Sequence, residues 1–148
     1  MGKKELPSKE LIDYAFGWNG GVVEETDNDE YIKWKSVEYK APKDNYKNLG
    51  KLEKNIMQFI DRANWHCSNT DYRQASVLFS SAIKICPSDA AIIIKGKDIN
   101  LIAHLLEGRA YCFKELGWDG AVDDIARAIE LEPKYKPFLD LQKEILEN

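Results

Sequence analysis

Histidine, cysteine and carboxylate are the side chains of this 148-residue chain that could carry chemistry, and their spacing assembles no reacting set from them. His66 and His104 stand without a Ser-His-Asp arrangement, a glycine-rich phosphate loop or a metal-spaced cluster. His66 reads as facing a neighbouring helix and His104 as a surface histidine. Cys67, Cys86 and Cys112 are odd in number, fall in segments that read as helix, and lack the paired spacing of a zinc site or a disulfide framework. They read as reduced, structural thiols. The acidic tract Glu24 to Glu30 starts like a calcium loop at Asp27 and Asp29. Tyr31 and Ile32 then occupy positions where that loop needs a ligand and a glycine, so a solvated acidic loop is expected. Residues Tyr31 to Lys40 interleave aromatics with lysines, a pattern that can stack bases and hold phosphates. A formal net charge of -4 and a pI near 5.3 deny the chain the basic footprint that drives nucleic-acid affinity. The expectation is therefore no catalysis, no metal, no cofactor and no nucleic acid.

The elements that would position these residues are set by the apolar pattern. The length fits one domain, and no apolar run approaches the roughly 20 residues that span a bilayer. The opening Met1-Gly2-Lys3-Lys4-Glu5-Leu6 has no apolar signal core, and Leu6 stands where a myristoylation signal wants Ser or Thr, so a cytoplasmic, membrane-free chain is expected. Near residue 47 the pattern changes. Residues 1–47 are patchy: Ser8 could cap a short helix bearing Leu11, Ile12, Ala15 and Phe16, and Asn19-Gly20 is a hairpin signal weakened by flanking glycines. Tyr14, Phe16, Trp18, Tyr31 and Trp34 are too many large apolar groups for a free linker, so this extension is expected to pack on the helical remainder of the chain.

From residue 48 to 148 helical signals dominate. Leu49, Leu52, Ile56, Phe59, Ile60, Ala63 and Cys67 form one stripe, predicting a helix from about Lys47 to Ser68. Asn69-Thr70-Asp71 makes a turn, and Tyr72 to Cys86 is a second helix stopped by Pro87. Ala75, Phe79, Ala82 and Pro87 are then matched by Ala121, Ile125, Ala128 and Pro133 with the same gaps. Small residues on successive turns let a neighbouring helix approach, and the large residue between them fills the groove. A third helix carries Leu106, Ala110 and Phe113, a turn comes at Leu116-Gly117-Trp118, and a fourth helix runs from about Asp119 to Leu131. Ala75 and Ala121 are 46 residues apart. The extra dozen or so positions lie between Pro87 and Leu101. There Ser88 is expected to cap a short helix through Ala90 to Ile94 that ends at Gly96, with Asp98 capping the next; the alternative is one helix running through Gly96. Pro137 to Leu146 keeps an apolar face through Phe138, Leu141, Ile145 and Leu146.

Two units of this kind resemble the tetratricopeptide (TPR) repeat, whose second helix carries A-x3-F and ends at proline. The resemblance implies an all-α superhelix of helix pairs: repeat 1 at about 56–87, an insertion at about 88–100, repeat 2 at about 101–133 and a capping helix at about 136–147, preceded by the irregular extension 1–47. It implies a noncatalytic adaptor or scaffold that binds a protein segment in a concave groove. The groove positions carried over are Met57, Ile60, Asp61, Asn64 and Cys67 in the first repeat. In the second they are His104, Glu107, Gly108, Tyr111, Lys114 and Glu115, and on the last helix Asp140 and Glu144. Co-chaperone members of the family grip acidic C-termini with Lys, Asn and Arg at such positions. Only Asn64 matches here; Ile60 stands for a lysine, Gly108 for an asparagine, and Asp140 and Glu144 for basic residues. Five carboxylates in the groove should repel an acidic tail and favour a polar to basic partner. The other implied readings are a secretion-type chaperone, which usually has three repeats where this chain shows two, and an obligate subunit contacting its complex through the N-terminal aromatics.

Overall fold

The computed structural model describes residues 45–147. The helix at Ser8, the Asn19-Gly20 hairpin, the acidic loop and the aromatic-lysine stretch lie outside the described residues. Among the described residues five α-helices dominate: α1 (Glu53–Ser68), α2 (Tyr72–Ile85), α3 (Leu101–Leu116), α4 (Gly120–Leu131) and α5 (Lys136–Glu147). Three short strands join them: β1 (Tyr46–Lys47), β2 (Ala91–Ile94) and β3 (Lys97–Asn100).

The helix boundaries have local causes. A 3-10 turn over Gly50–Leu52 leads into α1, so the first helix starts later than Lys47. Thr70, with φ of 58°, turns the chain after α1, and the Asp71 side chain accepts a hydrogen bond from the Gln74 amide to start α2. Cys86 is the extended residue just past α2 rather than its last turn. Asn100 caps α3, its Oδ1 accepting from the Ala103 amide at 2.9 Å. Gly117, at φ of 74°, closes that helix in the left-handed conformation that glycine adopts without strain.

The all-α expectation is corrected at the insertion. Residues 91–100 form an antiparallel hairpin, with Ile92 opposite Ile99 and Ile94 opposite Lys97. β1 pairs antiparallel on its other side, Tyr46 opposite Ile92, giving the order β1-β2-β3. The reason is the turn. Lys95 and Gly96 both have positive φ, 52° and 81°, the requirement of a two-residue type I′ connection. Gly96 is thus a hairpin turn residue and not a helix end, the β-branched run Ile92-Ile93-Ile94 suits the strand before it, and Asn100 takes the capping role expected of Asp98. Ser88 caps no helix; its carbonyl accepts from Asn100 Nδ2 at 3.1 Å.

α2 packs between α1 and α3, α3 between α2 and α4, α5 lies on α4 and α3, and the sheet rests against α3. The small residues of the repeated spacing sit at these contacts: Ala75, Ala82, Ala121 and Ala128 are all buried, with Ile125 and Phe138 fully so. Burial of such side chains is the main favourable term, roughly 25 cal/mol per Å² of apolar surface. A partly buried polar link crosses the layers. Arg109 on α3 donates from Nε and Nη2 to Asp124 Oδ2 and Oδ1 on α4 at 2.7 Å each, and from Nη1 to Ser80 Oγ on α2 at 2.9 Å. Further along, Glu132 Oε2 accepts from the Asn100 amide at 2.8 Å, placing a carboxylate at the start of α3 where the helix dipole favours it.

Candidate functional site

α3 presents two unlike faces. Leu101, Leu105, Leu106, Ala110 and Cys112 are buried, while His104, Glu107, Tyr111, Lys114 and Glu115 keep the three- and four-residue steps that place side chains on one stripe. Tyr111 is the exposed member of most apolar area, 39% accessible. Its ring meets that of Tyr72, at the start of α2, edge to face with centroids 5.8 Å apart. Lys114 Nζ lies 5.3 Å from the centroid of Tyr111 and is 3.0 Å from Glu115 Oε2 and 3.2 Å from Glu144 Oε1 on α5. One half-turn inward, Cys112 Sγ touches Cys67 Sγ of α1 at 3.6 Å. His104 Nδ1 is 3.4 Å from Glu107 Oε1 higher on the stripe.

The structure therefore brings Cys67, Tyr111, Lys114, Glu115 and Glu144 to one face, with His104 and Glu107 on the same stripe. Met57, Asp61 and Asn64 are half-buried along α1. Asp140 is exposed on α5 and paired within its own helix, accepting from Lys136 Nζ at 2.9 and 3.0 Å.

Two expected groove residues are corrected. Ile60 is 4% exposed and belongs to the apolar core, so it offers nothing to a ligand. Gly108 faces α2: a Cβ there would come within 2.7 Å of Phe79 Cζ, so the glycine exists to let two helices close. His66, expected toward a neighbouring helix, is buried, its Nδ1 3.3 Å from Asp71 Oδ2. Tyr72 is the member that the carried-over groove positions leave out. An aromatic opening the second helix was its only signal, and that signal reads equally as core.

The electrostatics of the face are those of a lysine among carboxylates. Glu115 first, and Glu144 second, hold the Lys114 ammonium above the usual lysine range. Tyr111 first, with desolvation next, raises the Tyr72 hydroxyl above its ordinary value. Burial first, and Glu107 next, raises that of Tyr135. The face can thus lay an apolar side chain along the tyrosine rings and offer carboxylate oxygens to cations and N–H donors beside them. Among the described residues no group of three or more His, Cys, Asp or Glu could hold a metal ion, and no helix is long and apolar enough to cross a membrane.

Compared with family models, with curated proteins and with solved structures, the chain matches none.

Proposed function

We propose that this chain is a noncatalytic protein-protein interaction module of TPR-like design, an adaptor or scaffold whose α3 face binds a segment of a partner protein. The observation that carries the reading is the tyrosine pair: Tyr72 and Tyr111, from two different helix pairs, meet edge to face beside Lys114, which Glu115 and Glu144 hold. Exposed aromatics beside charge are enriched in binding surfaces, where the ring supplies contact area and the charges set the partner's sign. With Lys114 held by two carboxylates, the sign favoured is a polar to basic segment. The repeated small-residue spacing supports the TPR-like design, since both copies are buried at helix contacts.

The test is titration of the chain with two peptides of equal length, one lysine-rich with an aromatic residue and one ending in acidic residues. The expected result is binding of the basic peptide that weakens as salt rises and is lost in Tyr111→Ala, with no binding of the acidic one. Micromolar binding of the acidic peptide, on the order of −8 kcal/mol, overturns the sign. Silence toward both, together with one stoichiometric partner on affinity purification, overturns the adaptor reading in favour of an obligate subunit. A set of unfolded clients instead would favour the chaperone reading.

A further inference from the structure

Cys67 and Cys112 are separated by 45 positions in the chain, yet their sulfurs are 3.6 Å apart. Cys67 is half-buried on the last turn of α1, and Cys112 is fully buried on α3. A disulfide requires a sulfur separation of about 2 Å, so the gap is within reach of small side-chain movements. The third cysteine, Cys86, is buried beyond the end of α2.

We propose that Cys67 and Cys112 form a dithiol oxidation site that takes a hydroperoxide as its oxidant and closes to an intramolecular disulfide between α1 and α3. The two thiols have unequal roles. The contact with Cys112 first, and the charge of His66 as a lesser cause, lower Cys67 below the ordinary thiol range against the opposing effect of burial. The same contact first, then burial, holds Cys112 far above it. Cys67, half-open to water, is therefore the sulfur that the oxidant reaches first, and Cys112 lies buried behind it.

The Cys67 thiolate attacks one oxygen of the hydroperoxide; an S–O bond forms, the O–O bond breaks, and the departing alkoxide takes a proton from water. Cys67 is now an uncharged sulfenic acid, and the Cys112 thiol beside it still carries its proton. Cys112 then gives up that proton and its sulfur attacks Cys67 Sγ; the S–S bond forms, the S–O bond breaks, and the leaving hydroxide accepts a proton to become water. Two thiols lose two electrons and two protons, and the hydroperoxide is reduced to an alcohol and water.

The product joins the first helix of one pair to the first helix of the next, closing a loop between positions 45 apart in the chain. The test uses the full chain treated with hydrogen peroxide, then alkylated under denaturing conditions and mapped by mass spectrometry without reduction. The expected result is one linked peptide pair, Cys67 with Cys112, with Cys86 still alkylated, reversal by dithiothreitol, and a rise in Tm on the order of 10 °C. In Cys112→Ser the reaction should stop at a Cys67 sulfenic acid that dimedone traps, and in Cys86→Ser it should be unchanged. A linkage through Cys86, a crosslink between two chains, over-oxidation of Cys67 with Cys112 still alkylated, or no oxidation overturns the proposal. Should a variant fail to fold, the peptide map of the unaltered chain decides alone.

Discussion

Thiol reactivity in this molecule is decided by neighbours a few ångströms away. Cys67 ionises below its ordinary 9.0 because of its contact with Cys112, whereas burial first, with Asp89 next, pushes Cys86 up to about 11. Only the thiolate reacts with iodoacetamide, and the thiolate fraction of each rises as pH passes its own value. Alkylation of the native chain across a pH series should therefore label Cys67 first, with a midpoint below 9.0. Simultaneous labelling of Cys67 and Cys86 would contradict this ordering. Packing is as local. In Gly108→Ala the new methyl would stand 2.7 to 3.0 Å from three ring atoms of Phe79, itself buried. The helix gains about 1 kcal/mol from losing a glycine, but forcing apart two buried surfaces costs about 1 to 3 kcal/mol. A net drop in thermal stability is expected. Gly120→Ala should cost less, because the Phe113 ring it meets at 3.0 Å is half-buried and can give way.

Between residues and molecule stand the elements, and here the sequence was legible where two signals agreed. Helices α1, α2, α3 and α4 each combine an apolar stripe with a turn, a glycine or a proline at the end, so their existence and approximate limits come from periodicity alone. The insertion was not legible because Ala90 to Ile94 has no period, and a short apolar run suits a buried helix or a strand equally. The two-residue Lys95-Gly96 turn was the deciding signal, and lysine is not the residue that usually announces such a turn. At the candidate site, the α3 positions were named only through the TPR resemblance, and the Cys67–Cys112 contact was not named at all, since no local signal pairs positions 45 residues apart. The capping role of Asn100 can be measured directly. Asn100 caps α3 and also donates to the Ser88 carbonyl, so Asn100→Ala should cost about 1 kcal/mol or more. Ser88→Ala keeps that carbonyl and removes only an exposed side chain, so it should change stability by about 0.5 kcal/mol at most. Chemical denaturation of the two variants measures the difference.

At the scale of the whole molecule, the Arg109 cluster joins α2, α3 and α4 through polar side chains. Asp124 is 9% exposed at its side chain and accepts both guanidinium bonds, while Arg109 keeps partial access to water at 24%. Removing the carboxylate in Asp124→Ala strands a positive group that also serves Ser80. Breaking a buried pair costs about 3 to 5 kcal/mol, and the access of Arg109 to solvent places this case at or below the lower end. Urea denaturation should show the loss, and the double variant Arg109→Met with Asp124→Leu should recover much of it. Failure of the double variant to recover would mean that the bond to Ser80, and not the ion pair, holds the three helices in place.

Strand β1 has only two residues, Tyr46 and Lys47, but they pair with Ile92 and Ala91 on one side of β2, where the run Ile92-Ile93-Ile94 begins. A chain shortened to begin at Leu49 would leave that side of the sheet open, with unpaired backbone donors and acceptors next to β-branched apolar residues. Such an edge recruits strands from other molecules. Light scattering of the shortened chain is expected to show association that grows with concentration, and a particle size independent of concentration would speak against it. The segment ahead of Leu49, β1 included, would then govern solubility, a property quite separate from what the helices hold together or bind.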